Sequence, residues 1–259
     1  MNLVNSIINN LEKNYGALKI SKKFENSNCN DVYLLENTSK YVLKIASNSN
    51  RINELKEEYE VLETIKDKID VPKVYKYFDN QEYSYILMEY IDGISLDVLL
   101  KENKNQGSIM FDLGKLLKKI NSIEIIEKET GEYYLNKQLE KAESNLKANL
   151  LDDEEFIING KKLDKEELLI ELKTKKPNNI NSSFLHGDFR PKNIIFSNNK
   201  YYILDFGLSH IGDCYYDISI FFYYLNEIER KEFLKGYGIN NIDEYKFHYY
   251  ENLSKFLNV

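Results

Sequence analysis

The spacing of apolar residues divides the chain into a strand-rich first part and a helical second part. Residues 4–11 carry an apolar side chain every three to four positions, which predicts a short opening helix. A period of two then predicts strands over 17–24, 31–36 and 40–46. Because short turns separate these strands, an antiparallel sheet is the simplest arrangement.

The same apolar periodicities predict helices and strands in the rest of the chain. Helical spacing at 51–66 ends before Pro72, and two more strands are predicted at 74–78 and 83–90. Helices are predicted at 96–100, 109–120, 135–150, 218–225, 230–234 and 245–257. Among them lies one hairpin, with strands at 194–196 and 201–204 joined by Ser-Asn-Asn-Lys.

A polar cluster flanks each strand of this hairpin. His186-Gly187-Asp188 precedes the first strand, with Asn193 five residues after the aspartate, and Asp205-Phe206-Gly207 follows the second. Carboxylate and carboxamide oxygens suit Mg²⁺ bound to a polyphosphate, and a carboxylate that does not bind the metal can take the proton of an attacking hydroxyl. The pattern indicates phosphoryl transfer.

The motif HGDxxxxN followed by DFG resembles the catalytic core of the aminoglycoside phosphotransferase and choline kinase superfamily, which shares the protein-kinase fold. The resemblance extends from about residue 17 to the C-terminus. It implies a two-lobed α+β fold with an antiparallel N-terminal sheet and a mostly helical C-terminal lobe. The expected domains are a nucleotide-binding lobe at 1–92 and a catalytic and substrate lobe at 93–259.

The resemblance also assigns catalytic and nucleotide-binding residues. Asp188 orients and deprotonates the acceptor hydroxyl, Asn193 and Asp205 bind Mg²⁺, and His186 and Asp217 support the catalytic loop. Lys44 is expected to bind the phosphates of ATP, or of GTP, with Glu58 as the counter-charge that a lysine in an apolar strand needs. The remaining nucleotide contacts are assigned to the glycine-free loop at 25–30 and to the adenine hinge, namely Asn28, Met88, Glu89 and Ile91.

A longer stretch, LKANLLDDEEF followed by FLHGD, is similar in order and spacing to the aminoglycoside 3'-phosphotransferases. That likeness implies an antibiotic-resistance enzyme that phosphorylates the 3'-hydroxyl of a cationic aminoglycoside. The residues assigned to the substrate are Asp152, Asp153, Glu154, Glu155, Arg190 and Glu227.

Departures near the substrate leave other acceptors open. Leu208 follows the DFG motif where 3'-phosphotransferases often carry arginine, and Lys255 stands in the last helix where that family commonly has acidic residues. One alternative is a kinase for another small alcohol, such as a sugar or amino alcohol. Another is a nucleotide-binding protein without turnover, which the intact Asp188 argues against.

Composition and the absence of certain motifs exclude several other classes of protein. A hydrophobic content of 42% supports a buried core, and the formal net charge of −7 argues against nonspecific nucleic-acid binding. There is no signal sequence or membrane-length apolar run, so we expect a cytoplasmic protein without a membrane partner. The absence of a GxxxxGK[ST] motif excludes a P-loop NTPase. Cys29 and Cys214 are not expected to form a disulfide. A monomer and a homodimer are both compatible with the sequence.

Overall fold

The computed structural model describes residues 3–24, 30–102, 106–125, 129–158 and 160–257. Within these ranges, no helix has both the length and the hydropathy needed to span a membrane. By its internal contacts the chain divides into two compact units. The N-terminal unit contains residues 1–94 and 194–207, and the C-terminal unit contains residues 95–193 and 208–259. The predicted domain division at residue 92 stays a prediction.

The N-terminal unit is built on an antiparallel five-stranded sheet. Its strands are β1 (Lys19–Phe24), β2 (Asp31–Glu36), β3 (Lys40–Ala46), β4 (Val74–Asp79) and β5 (Ser84–Glu89), arranged in the order β1-β2-β3-β5-β4. The helices of this unit are α1 (Leu3–Tyr15) and α2 (Ser49–Ile65). These elements agree with the predicted ones to within a few residues at each end.

Each helix of this unit covers a separate apolar cluster. The predicted stripe of α1, including Ile7 and Leu11, is buried in one cluster with Leu35, Leu43 and Leu87 of the sheet. Leu55 of α2 is buried in a second cluster that contains residues of β3 and β5. Apolar spacing in the sequence therefore corresponds to real core-facing stripes.

The predicted hairpin forms as β10 (Ile194–Ser197) and β11 (Lys200–Ile203), which pair antiparallel. The two turn residues, Asn198 and Asn199, have φ values of 50° and 60°. Positive φ at both central positions defines a type I′ turn, whose twist matches that of the paired strands, and asparagine tolerates this conformation. The backbone N–H of Ile203 also donates to the carbonyl of Asp70, 3.0 Å away, which attaches the hairpin within its unit.

The C-terminal unit is mostly helical. Its helices are α3 (Leu96–Glu102), α4 (Gln106–Asn121), α5 (Gly131–Lys147), α6 (Lys165–Thr174), α7 (Tyr215–Phe222), α8 (Glu227–Tyr237) and α9 (Glu244–Leu257). Short strands complete the chain: β6 (Ile94–Ser95), β7 (Ile157–Ile158), β8 (Lys161–Lys162), β9 (Ser183–Leu185) and β12 (His210–Gly212). Of these, β7 pairs with β8 and β9 with β12, both antiparallel.

The acidic segment, residues 151–156, ends in a 3₁₀ turn, Glu154–Phe156, which precedes the β7-β8 hairpin. One predicted helix in this unit needs correction. Helix α7 begins at Tyr215, three residues earlier than predicted. Asp213 accounts for this shift, because its carboxylate accepts the backbone N–H of Tyr215 at 3.1 Å and so satisfies a donor of the first turn.

Candidate active site

Lys44 lies at the centre of a charged group in the N-terminal unit. It projects from β3 with its ammonium 2.6 Å from Glu58 Oε2 and 2.9 Å from Asp205 Oδ1. The side chains of Lys44 and Glu58 are 12% and 3% exposed, whereas that of Asp205 is 51% exposed. The structure therefore brings together a buried ion pair and a carboxylate that still reaches solvent.

The charges of this group depend on one another. Burial on its own would lower the pKa of Lys44, but the carboxylates of Glu58 and Asp205 raise it above its ordinary value. Burial raises the pKa of Glu58, and the neighbouring ammonium opposes that rise. Lys44 is consequently a fixed positive charge, which is the property needed to bind phosphate oxygens.

Asp205 follows the hairpin in an unusual backbone conformation. Its φ is +63°, in the left-handed region that non-glycine residues rarely occupy. Such conformations are found mainly at functional sites. The half-exposed carboxylate offers the hard oxygen ligands that Mg²⁺ prefers, so the chemistry of this residue fits the metal role assigned to it.

Asp217 anchors the predicted catalytic loop, residues 186–193, within the C-terminal unit. The carboxylate of Asp217 accepts the backbone N–H groups of His186 at 2.8 Å and Gly187 at 2.9 Å. Asp217 is fully buried; burial raises its pKa, and the two donated hydrogen bonds oppose the rise. The two bonds fix the backbone just before Asp188.

Only glycine fits at position 187. Its φ is +79°, and a Cβ there would lie 2.0 Å from the carbonyl oxygen of Leu208. Both the conformation and the close approach exclude a side chain. The glycine of the HGD motif is therefore required by the path of the backbone.

Asp188 is held by the residues around it in the loop. The amide nitrogen of Asn193 donates to Asp188 Oδ2 at 2.8 Å and to the Asp188 carbonyl at 3.0 Å. The backbone N–H of Asp188 donates to Nδ1 of the buried His186 at 3.1 Å. Because its nitrogen is engaged in this way, Asn193 presents its amide oxygen, a hard ligand that fits Mg²⁺.

Arg190 extends the charged part of the loop. Its Nε forms an ion pair with Asp188 Oδ1. Tyr224, which follows α7, lies beside this pair: burial raises the pKa of its hydroxyl, and the guanidinium of Arg190 opposes the rise. Tyr224 was not selected from the sequence, because a tyrosine beyond the end of a helix has no distinguishing pattern.

The predicted hinge residues lie at the end of β5 and just after it. Met88 is buried in the cluster that α2 covers, and Ile91 is also buried. The backbone N–H of Glu89 donates to the carbonyl of Lys73 at 2.8 Å. Adenine would therefore have to donate a hydrogen bond to the carbonyl oxygen of Glu89. Asn28, the predicted phosphate-loop residue, lies outside the described residues.

The acidic segment is less uniformly anionic than its sequence indicates. Asp153 forms ion pairs with Lys162 at 3.1 Å and Lys165 at 2.5 Å, and these lysines lower its pKa. Asp152 and Glu154 are exposed, and the Asp152 carboxylate accepts the backbone N–H of Glu154 at 2.9 Å. Glu155 is half-buried and acts electrostatically on Lys255, whose pKa is lowered mainly by burial.

A cavity of about 440 Å³ borders the catalytic loop within the C-terminal unit. It carries charges of both signs together with apolar side chains, and its lining consists of Asp97, Leu100, Lys101, Pro191, Lys192, Tyr224 and Glu229. Glu227, the predicted substrate residue on α8, is the first residue of that helix. The lining has as many lysines as carboxylates.

Comparison with known proteins identifies the family. A family model described as a phosphotransferase enzyme family matches residues 22–249. The chain belongs to this phosphotransferase family. The match confirms the predicted enzyme class, an alcohol-directed phosphotransferase, and the predicted family resemblance.

Individual proteins extend this result. The chain is 24% identical to an aminoglycoside 3'-phosphotransferase from Escherichia coli over 209 residues, covering 79% of this phosphotransferase and 77% of the relative. The crystal structure of an aminoglycoside-3'-phosphotransferase of type VIII matches with a TM-score of 0.76 at 18% identity, covering 99% of this chain and 100% of the other.

A second solved structure includes bound ligands. An aminoglycoside phosphotransferase from Streptomyces rimosus, in complex with ADP and streptomycin, matches with a TM-score of 0.72 at 16% identity over 99% of both chains. The structural matches confirm the predicted protein-kinase-like α+β fold.

Proposed function

We propose that this phosphotransferase transfers the γ-phosphate of ATP, or of GTP, to a hydroxyl of an aminoglycoside, and that the 3'-hydroxyl is the acceptor. Such a modification would confer antibiotic resistance. The oxygen of the acceptor hydroxyl forms a bond to the γ-phosphorus as the bond to the bridging oxygen of the nucleotide breaks. The diphosphate leaves, and the hydroxyl proton moves to Asp188.

Each residue of the proposed site has one task. Lys44, held by Glu58, binds phosphate oxygens. The carboxylate of Asp205 and the amide oxygen of Asn193 are the groups that would hold Mg²⁺, and the metal would supply neutralisation of phosphate charge. Asp188 orients the acceptor hydroxyl, since its own position is fixed by Asn193 and by the loop that Asp217 anchors. Positioning and charge neutralisation provide most of the rate in such reactions.

The observation that carries the proposal is the geometry of Asp188. Asp188 is a buried carboxylate on a loop that two backbone hydrogen bonds to Asp217 fix. Its Oδ2 accepts the Asn193 amide and its Oδ1 contacts Arg190, so the carboxylate has one defined orientation toward an acceptor hydroxyl. A protein that only binds nucleotide has no need of this arrangement. The geometry therefore favours a catalyst.

The aminoglycoside acceptor is supported by the curated relative, a 3'-phosphotransferase matched over more than three quarters of both chains. Exposed carboxylates of the acidic segment, Asp152 and Glu154, are available to ammonium groups of a cationic drug. Electrostatic attraction of this kind affects the concentration of bound substrate more than the chemical step. We therefore assign these two residues to acceptor affinity.

A second candidate is a kinase for another small alcohol, such as a sugar or an amino alcohol, which carries at most a single positive charge. Two observations favour it: Lys162 and Lys165 neutralise Asp153, and the cavity beside the catalytic loop carries Lys101 and Lys192 among its charges. Lysines repel a polycation, whereas a sugar or amino alcohol tolerates them. The two candidates share the same catalytic residues and differ only in the acceptor.

An ADP- and GDP-release assay distinguishes the candidates. Mg·ATP and Mg·GTP would be supplied with aminoglycosides that have or lack the 3'-hydroxyl, and with a set of sugars and amino alcohols. The proposal expects turnover only of aminoglycosides bearing that hydroxyl, and loss of turnover in Asp188→Asn. Turnover of sugars or amino alcohols alone would replace the first candidate by the second.

Acceptor affinity provides a further check. The paired substitution Asp152→Asn/Glu154→Gln should raise KM for the aminoglycoside and leave kcat nearly unchanged, because it removes uniform binding. Glu166→Gln/Glu167→Gln, which removes two exposed carboxylates from the first turn of α6, is the matched control. An equal rise in KM in both variants would mean that general charge, and not the acidic segment, attracts the substrate.

A further inference from the structure

We propose that Tyr237 and Asn121 are positioning residues for the catalytic loop, acting through Asp217 on the backbone that carries Asp188. This inference rests on the proposed function, since it concerns the same catalytic loop. It adds two residues from different helices, α8 and α4, that never touch the reacting atoms. Neither residue is marked by a sequence motif.

A continuous chain of hydrogen bonds connects the two residues to the loop. The Tyr237 hydroxyl donates to Asn121 Oδ1 at 2.9 Å. Asn121 Nδ2 donates to the carbonyl of Phe184 at 2.9 Å and, at 3.4 Å, to Asp217 Oδ2. The same Asp217 oxygen accepts the backbone N–H of His186 at 2.8 Å.

Asn121 therefore acts at two points on the path to the catalytic base. Phe184 lies in β9, directly before the catalytic loop, and Asp217 holds the first two residues of the loop itself. One amide group thus fixes both the strand that enters the loop and the carboxylate that anchors it. The Tyr237 hydroxyl sets the orientation of this amide, because it occupies the amide oxygen and leaves the nitrogen facing Phe184 and Asp217.

Burial makes the chain of bonds hard to replace. Asn121 is 7% exposed, Tyr237 is 5% exposed and Asp217 is fully buried. The side chains of Asn121 and Tyr237 also line a cavity of about 420 Å³, but a water molecule there is not held in one orientation by a helix, as the Tyr237 hydroxyl is. When the tyrosine hydroxyl is absent, the Asn121 amide loses the contact that fixes its orientation, and its bonds to Phe184 and Asp217 weaken.

The helices that carry the two residues are packed unusually closely. A Cβ at Gly114 of α4 would lie 2.1 Å from the carbonyl oxygen of Phe233, and a Cβ at Gly236 of α8 would lie 1.9 Å from that of Phe111. These reciprocal glycine contacts fix α8 against α4. The ammonium of Lys118 also lies 5.2 Å from the centre of the Tyr237 ring. The tyrosine hydroxyl is thus held at a defined distance from Asn121.

The test compares Tyr237→Phe with a matched loss of a hydroxyl elsewhere in the same unit. Tyr249 is also 5% exposed, and its hydroxyl donates to the carbonyl of Leu172 at 2.8 Å, in α6. Tyr249→Phe therefore removes a comparable buried hydrogen bond that does not lead to the catalytic loop. We expect Tyr237→Phe to lower kcat roughly three- to tenfold with KM for Mg·ATP within about twofold of wild type, and Tyr249→Phe to leave kcat unchanged.

Hydrogen exchange followed by mass spectrometry supplies a readout that requires no acceptor. Peptides covering residues 184–189 should exchange faster in Tyr237→Phe, because Asp217 holds the amides of His186 and Gly187 less firmly. The same peptides should be unchanged in Tyr249→Phe after correction for any difference in global stability. Equal exchange in both variants would overturn the proposal even if every aminoglycoside failed as a substrate.

A double-mutant cycle tests the order of the chain. In an Asn121→Ala background the further change Tyr237→Phe should have no additional effect on kcat, since its route to the loop is already broken. If the two effects add in full, Tyr237 does not act through Asn121 and the proposal is wrong. Basal Mg·ATP hydrolysis gives the rate for this cycle if no acceptor is turned over, so failure of the proposed function and failure of this inference are distinguishable.

Discussion

The Lys44–Glu58 ion pair provides a direct test of how stability and catalysis are connected in this enzyme. Lys44→Met removes the ammonium but keeps a side chain of similar length, so Glu58 loses the cation 2.6 Å away while only 3% of its side chain is exposed. A buried carboxylate without a partner is strongly unfavourable. Breaking such a pair destabilises a protein by about 3–5 kcal/mol.

Asp205 contributes much less to this loss. Its contact with Lys44 is 2.9 Å, but its side chain is 51% exposed, and solvent compensates most of an exposed ion pair. The expected destabilisation of Lys44→Met at neutral pH is therefore the full ~3–5 kcal/mol of a buried pair. Urea unfolding followed by circular dichroism measures it, since the chain has no tryptophan for fluorescence.

The cost of burying the Glu58 carboxylate leads to two further expected results. Burial already raises the pKa of Glu58, and loss of Lys44 raises it further, so the stability defect should shrink as the pH falls and Glu58 becomes protonated in the folded state. The double variant Lys44→Met/Glu58→Met should recover most of the lost stability, because an apolar pair can replace a buried ion pair. It should still show no phosphate transfer.

The reasoning is refuted if Lys44→Met destabilises the protein by less than about 1 kcal/mol, which is the range of an exposed pair. It is also refuted if adding Glu58→Met makes the single variant less stable. Lys56→Met, which removes an exposed ammonium from α2 in the same unit, is the control for a general loss of positive charge.

Three other predictions test different parts of the account. Gly187→Ala should lower the melting temperature and should lower kcat at least about tenfold, because the new Cβ would overlap a carbonyl oxygen 2.0 Å away and the residue has a left-handed backbone conformation. Normal activity of this variant would contradict the loop geometry. Lys246→Met leaves Asp213 buried without the ammonium 2.8 Å away, so it should lower the free energy of unfolding by about 3–5 kcal/mol, measured by urea denaturation. A change below about 1 kcal/mol would show that this ion pair is not buried in solution. In a Cys29→Ser variant, Cys214 should react with a thiol reagent near neutral pH only after unfolding, because burial raises its pKa; rapid labelling of the native protein would disprove its buried environment.

Local patterns were sufficient to predict most of the fold. The helical spacing of α1 and α2 reflects which side chains face a core, and this information is present in the sequence itself. The strands β1 to β3 form close to their predicted positions, but burial does not alternate along them: β1 has no buried residue, and β2 buries three consecutive residues. The Asn198-Asn199 turn was predictable for a similar reason, because few residues accept its backbone conformation. The short strands β7, β9 and β12 were missed, since two or three residues are too few to show a period.

In the candidate site, too, local motifs could be recognised in the sequence, whereas contacts between distant residues could not. The motifs singled out Lys44, Asp188 and Asp205, because the chemistry of phosphate and Mg²⁺ requires these residue types, and the roles assigned to them stay predictions. The sequence did not indicate the contact between Tyr237 and Asn121, which joins residues 116 positions apart. Periodicity shows which face of a helix is buried but not what lies opposite. The neutralisation of Asp153 was missed because its lysine partners belong to a hairpin and a helix start that the charge pattern did not predict.

In the proposed reaction, Asp188 directs phosphate to a hydroxyl of an aminoglycoside. The most direct test is phosphorus and proton NMR of the product formed from Mg·ATP and an aminoglycoside that has a 3'-hydroxyl, with Asp188→Asn as the control. We expect a single phosphate ester at the 3'-position and no product with the variant. A phosphate ester at another position would contradict the regiochemistry, and the absence of any aminoglycoside product from an enzyme that phosphorylates sugars or amino alcohols would contradict the proposed acceptor.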